Sequence, residues 1–139
     1  MELLTDTGCR RAEALGLIQP VLLEVNIGRE ASKGGYLPEM VEEAVAEAAE
    51  TPGLRVEGLM AIPPAPEAGS AARPGGKKYP YFEEMYRLYI DISGKKYDNT
   101  NIWCLSMGMS ADFAQAIVSG ANLVRVGSGI FGERRSAPK

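Results

Sequence analysis

The chain has 139 residues, a formal net charge of −3 and a sequence pI near 5.1, with 45% hydrophobic and 24% charged residues. That length suits one folded domain, 1–139, with a real core, and the acidic balance argues against a nucleic-acid binder, which carries a basic face. With no histidine and two cysteines, one copy can build no Ser-His triad, Cys-His pair, His-ligated zinc site or disulfide framework.

In chain order, Glu2 to Leu15 reads as an amphipathic helix stopped by Gly16. Val21 to Ile27 is a strand ended by Gly28. Pro38 to Glu50 is a helix, because proline suits the first turn, Glu39, Glu42 and Glu43 complement the dipole, and Pro52-Gly53 closes it. Leu54 to Ile62 is a second strand. Pro63 to Lys78 is rich in Pro, Ala and Gly without a period, hence a long loop. Tyr81 to Ile90 is helical, with Phe82, Met85, Tyr86 and Tyr89 forming a packing stripe. Asn101 to Leu105 is a third strand, Ala111 to Ser119 a helix capped by Ser110, and Leu123 to Val126 a fourth strand. A short helix is expected from Ile130 onward. Such alternation predicts an α/β fold with a parallel sheet, and strands apolar on both faces fit parallel strands covered by helices.

No apolar run approaches the ~20 residues of a membrane span, and Met1-Glu2-Leu3-Leu4-Thr5-Asp6 lacks the basic-then-apolar design of a leader. Cys9 lies in a polar helical stretch and Cys104 in an apolar strand, which suits a reducing compartment. A soluble cytoplasmic protein with no membrane partner is the expectation. Neither a metal site nor a catalytic constellation is read from these residues.

Two stretches carry the chemistry: Leu105-Ser106-Met107-Gly108-Met109-Ser110 and Val124-Arg125-Val126-Gly127-Ser128-Gly129-Ile130-Phe131-Gly132. In each, a strand breaks into small residues and a hydroxyl just before a helix, which is how an α/β fold exposes backbone N–H groups to a phosphate. Ser106 and the N–H groups of Gly127 and Ser128 are the candidates. Plain turn chemistry, with Ser110 as helix cap and glycines permitting tight turns, is the alternative. Arg125 lies in an apolar strand, where its charge needs an opening or a partner such as Glu24. Asn26 and Met60 also end strands, Met60 reading as packing, and Lys33 reads as an exposed loop lysine near the same rim.

These motifs, together with Leu22-Leu23-Glu24-Val25-Asn26-Ile27-Gly28, Ala31-Ser32-Lys33-Gly34-Gly35 and Gly58-Leu59-Met60-Ala61-Ile62-Pro63-Pro64, resemble signatures of the pyridoxal-phosphate homeostasis proteins from about Ala12 to Arg134. The resemblance implies an alanine-racemase N-terminal type of (β/α)₈ barrel, pyridoxal 5′-phosphate as ligand, and storage or supply of that cofactor rather than catalysis. It places Arg125 against the pyridine nitrogen, and Ser106, Met107, Gly127, Ser128 and Asn26 around the cofactor. Because Arg keeps its proton, the ring would be a poor electron sink.

Members of that family hold the cofactor as a Schiff base on a lysine ending an early strand, and no counterpart stands here. Four strands are half of a barrel that typically takes ~250 residues. The expectation is therefore a truncated, C-terminal half-barrel that keeps the phosphate end, binds the cofactor non-covalently at most, and pairs with itself or with a missing N-terminal half. The rival readings are a fragment of a racemase- or decarboxylase-like barrel enzyme and a non-binding remnant that folds only as an oligomer.

Overall fold

The computed structural model describes residues 8–65 and 79–134. Helix α1 (Gly8–Ala14) leads to β1 (Gln19–Val25), a 3₁₀ turn (Pro38–Met40) runs into α2 (Val41–Glu50), and β2 (Leu54–Ala61) follows. Then come α3 (Pro80–Gly94), β3 (Thr100–Met109), α4 (Phe113–Val118), β4 (Leu123–Arg125) and α5 (Ser128–Phe131). The expected helical turn before residue 8 and most of the loop beyond Pro64 lie outside the described residues.

The four strands form one parallel sheet in the order β1-β2-β3-β4. Register pairs Leu23 with Leu59 and Leu59 with Leu105. All three are fully buried in the layer shared with α2 and α3, alongside Val45, Phe82 and Met85. Each such side chain contributes roughly 1.5–3 kcal/mol, so this layer holds the helices to the sheet. One residue further along each strand, Glu24, Met60, Ser106 and Leu123 form the next row. Because side chains alternate along a strand, this row faces away from the α2 and α3 layer.

Two local devices shape the sheet. Gly58 lets β2 approach β3 closely, since a Cβ there would lie 1.9 Å from the carbonyl oxygen of Cys104. It stands where the register shifts between Val56 and Gly58. The loop after β1 folds back on its own strand. The Tyr36 N–H donates to the Glu24 carbonyl and the Asn26 N–H to that of Tyr36, both at 2.8 Å. The C-terminal end of the β1 edge is therefore already paired, which blunts an otherwise adhesive row of backbone groups.

Two expected boundaries are corrected. The third strand does not stop at Leu105; it continues to Met109, because Leu105, Met107 and Met109 keep alternating with the small residues Ser106 and Gly108. The following helix starts at Phe113 behind Asp112 rather than behind Ser110, with the Met109 N–H donating to Asp112 Oδ1 at 2.7 Å.

Candidate functional site

The C-terminal ends of β2, β3 and β4 meet around Arg125. From the last residue of β4 its guanidinium crosses the open face of the sheet, Nη1 donating to Ser106 Oγ and Nη2 to the Ala61 carbonyl at 3.0 Å. Both acceptors are neutral, and Arg125 makes no ion pair among the described residues. Burial pushes its pKa below the ordinary arginine value, opposed by the more distant charges of Glu24 and Asp112. The expected alternative of a direct pair with Glu24 is thus replaced by a long-range attraction. A half-buried cation bonded only to neutral groups keeps its charge available to a ligand.

Ser106 is 1% exposed and is the one buried polar residue among those described. It stands inside β3 beneath the guanidinium rather than at a strand end. Met107, one residue on, alternates to the other face and is fully buried in the hydrophobic core. Its side chain is thereby committed to packing, which leaves only its backbone to take part in a site.

Past β3 the chain turns through Gly108, whose φ of +97° disfavours other residues and whose missing Cβ would stand 2.6 Å from Cβ of Ala116. This brings Ser110 to the turn after β4. Its Oγ accepts from the N–H of Gly127 at 3.2 Å and of Gly129 at 2.9 Å. Among the described residues the Ser128 N–H has no acceptor. A hydroxyl and converging N–H groups at adjacent strand ends form a concavity suited to an anion. Gly127 and Ser128 stand at the strand end expected from the sequence, whereas Ser110, expected as a helix cap, bridges the two turns instead. The alternation through Met109 was the available signal that the strand, and hence the rim, lay further on.

Asn26 spends its side chain on the loop after β1. Nδ2 donates to the Glu30 carbonyl at 2.8 Å and to that of Lys33 at 3.4 Å, while Oδ1 accepts from the Glu30 N–H at 3.1 Å. It shapes the rim from the side. Lys33, carried by that loop, pairs with Glu30 at 2.7 Å and donates to the Ile62 carbonyl at 3.3 Å. Lys33, Ile62, Gly108, Met109 and Asp112 line a cleft of about 290 Å³ at the same end of the sheet. Among the described residues there is no cluster of three metal-ligating side chains and no helix long and apolar enough to cross a membrane.

The family described as alanine racemase, N-terminal domain, matches residues 8–135. A pyridoxal phosphate homeostasis protein of Aquifex aeolicus is 41% identical over 132 residues, covering 95% of this chain and 54% of the relative. Its namesake in Escherichia coli K12 is 39% identical over 119 residues, covering 86% and 47%. The chain thus spans about half the length of the curated relatives it matches. Among solved structures, a protein from Bifidobacterium adolescentis described as unknown superposes with a TM-score of 0.75 at 31% identity, covering 88% of this chain and 47% of that one. PipY of Synechococcus elongatus PCC7942, solved with PLP bound, superposes with a TM-score of 0.67 at 25% identity, covering 89% and 54%.

Proposed function

Since the chain belongs to the alanine racemase N-terminal domain family, among the pyridoxal phosphate homeostasis proteins, we propose that it binds pyridoxal 5′-phosphate and serves its storage or supply. The observation that carries this reading is Arg125, a half-buried cation held by two neutral acceptors beside the Ser110, Gly127 and Ser128 turn. The residues suit the group: the turn offers a hydroxyl and N–H donors for a phosphate, and Arg125 offers N–H donors to an acceptor-only ring nitrogen. When bound, the cofactor supplies an aldehyde and an aromatic ring able to withdraw electrons.

In this reading the Ser128 N–H and the Ser110 O–H hold the phosphate directly, and the Gly127 N–H, which donates to Ser110 Oγ, orients that hydroxyl towards it. Ser106 stays beneath Arg125, while Asn26 fixes the loop that bounds the rim. Arg125, which does not give up its proton, keeps the facing ring nitrogen unprotonated and so disfavours carbanion chemistry. Catalysis is not part of the role in this reading. The four strands are the later half of an eight-stranded barrel, supported by the phosphate-type turn after the last of them, where such barrels carry that site. Completion comes from a second copy or from the other half. Cys9 and Cys104, both buried and not joined in a disulfide among the described residues, suit a reducing cytoplasm.

Equilibrium titration with pyridoxal 5′-phosphate, followed by absorbance with inorganic phosphate as competitor, tests the reading. Saturable binding that phosphate weakens is the expected result. Absence of saturable binding overturns it, and protein-dependent racemisation of L-alanine would move the assignment to the enzyme reading.

A further inference from the structure

We propose that Ser106 is a positioning residue: it sets the orientation of the Arg125 guanidinium, and through it the protonation of the ring that Arg125 faces. The inference rests on the reading of Arg125 given above and assigns a role to the one buried polar side chain described. A hydroxyl buried at 1% exposure is costly unless bonded. The bond it has is to Arg125, and no core packing demands a hydroxyl there. With Ser106 on Nη1 and the Ala61 carbonyl on Nη2, the two arms of a planar fork are pinned to two different strands, β3 and β2. Two fixed points define both the position and the tilt of a rigid guanidinium.

The identity of the acceptor matters as much as its presence. A carboxylate at position 106 would neutralise Arg125, whereas a hydroxyl orients it and leaves its charge directed at the ligand. Glu24 stands in the same cross-strand row as Ser106, with Met60 between them, and already attracts Arg125 at long range. Without the Ser106 anchor, the guanidinium is free to turn towards Glu24 and away from the ring.

The test is a double-mutant cycle on the full chain with pyridoxal 5′-phosphate as probe, using Ser106→Ala, Arg125→Ala and both together. Affinity and the pH of the ring-nitrogen transition in the bound absorption spectrum are read for each. Ser106→Ala is expected to weaken binding about tenfold and to raise that transition pH towards the free cofactor's, since the cation opposing ring protonation has lost its aim. In the Arg125→Ala background the same change should have no further effect, and Ser106→Thr, which keeps the hydroxyl, should restore the wild-type transition. An undiminished effect of Ser106→Ala in the Arg125→Ala background would make Ser106 merely structural and overturn the proposal. So would an unchanged transition in Ser106→Ala when Arg125→Ala shifts it. If Arg125→Ala itself leaves both readouts unchanged, the assignment of Arg125 to the ring fails first. Should Ser106→Ala not fold, Ser106→Cys, similar in volume and a weak acceptor, takes its place with the same expectations.

Discussion

The Ser110 hydroxyl ties two strand ends together by accepting from the backbone N–H of Gly129 at 2.9 Å and of Gly127 at 3.2 Å. Nineteen residues separate Ser110 from Gly129, yet one oxygen organises both sides of the proposed phosphate site. Ser110→Ala should therefore weaken binding of pyridoxal 5′-phosphate by about tenfold and cost about 1 kcal/mol of stability. Titration and thermal unfolding on the same sample check both. Unchanged affinity would remove Ser110 from the site.

At the other end of the sheet, Glu57 accepts from Arg55 at 2.7 Å and from the Trp103 indole at 3.2 Å. The Arg55 hydrogen bond, aided by that of Trp103, holds its carboxyl below the ordinary glutamate value. A depressed folded-state pKa means stability that is present above about pH 4.3 and lost as pH falls through the folded value. Trp103 is the only tryptophan, so its emission should change over the same acid range. Glu57→Gln, which cannot titrate, should flatten both the emission change and that part of the acid dependence. An identical acid profile in the variant would show that Glu57 contributes nothing to it.

Gly58 has no room for a side chain, with the Cys104 carbonyl oxygen 1.9 Å from where a Cβ would lie. Gly58→Ala must push β2 from β3 and should destabilise the fold by roughly 1–3 kcal/mol or more. Denaturant unfolding measures this. A wild-type midpoint would mean that the strands separate without cost.

Large apolar side chains stand exposed near both outer strands: Leu17 and Ile18 before and at the start of the β1 side, Ile117, Val118 and Leu123 by β4. At ~25 cal/mol per Å², covering a few hundred Å² contributes several kcal/mol. The chain is expected to associate, with itself or with a complementary half, at micromolar concentration. Sedimentation equilibrium decides it. A monomer whose unfolding shows no concentration dependence would indicate that the pairing of Tyr36 along β1 and the shortness of β4 suffice.

Helices, strands and the parallel sheet were legible along the chain because apolar periodicity, proline and glycine act over a few residues. The strand Val21 to Ile27 and the helix from Pro38 needed only small adjustment of their ends, and Gly127 and Ser128 could be placed at a strand end from their neighbours alone. Hydrogen bonding between distant residues was not legible. Ser106 and Ser110 are both serines in a small-residue run. Only the continuation of β3 to Met109 put the first under Arg125 and the second beside Gly127. Met107 shares its motif with both, yet strand alternation turned it into the core. A sequence determines which backbone states each segment prefers; which hydroxyl meets which cation depends on register between strands, and register is set by the packing of the whole sheet.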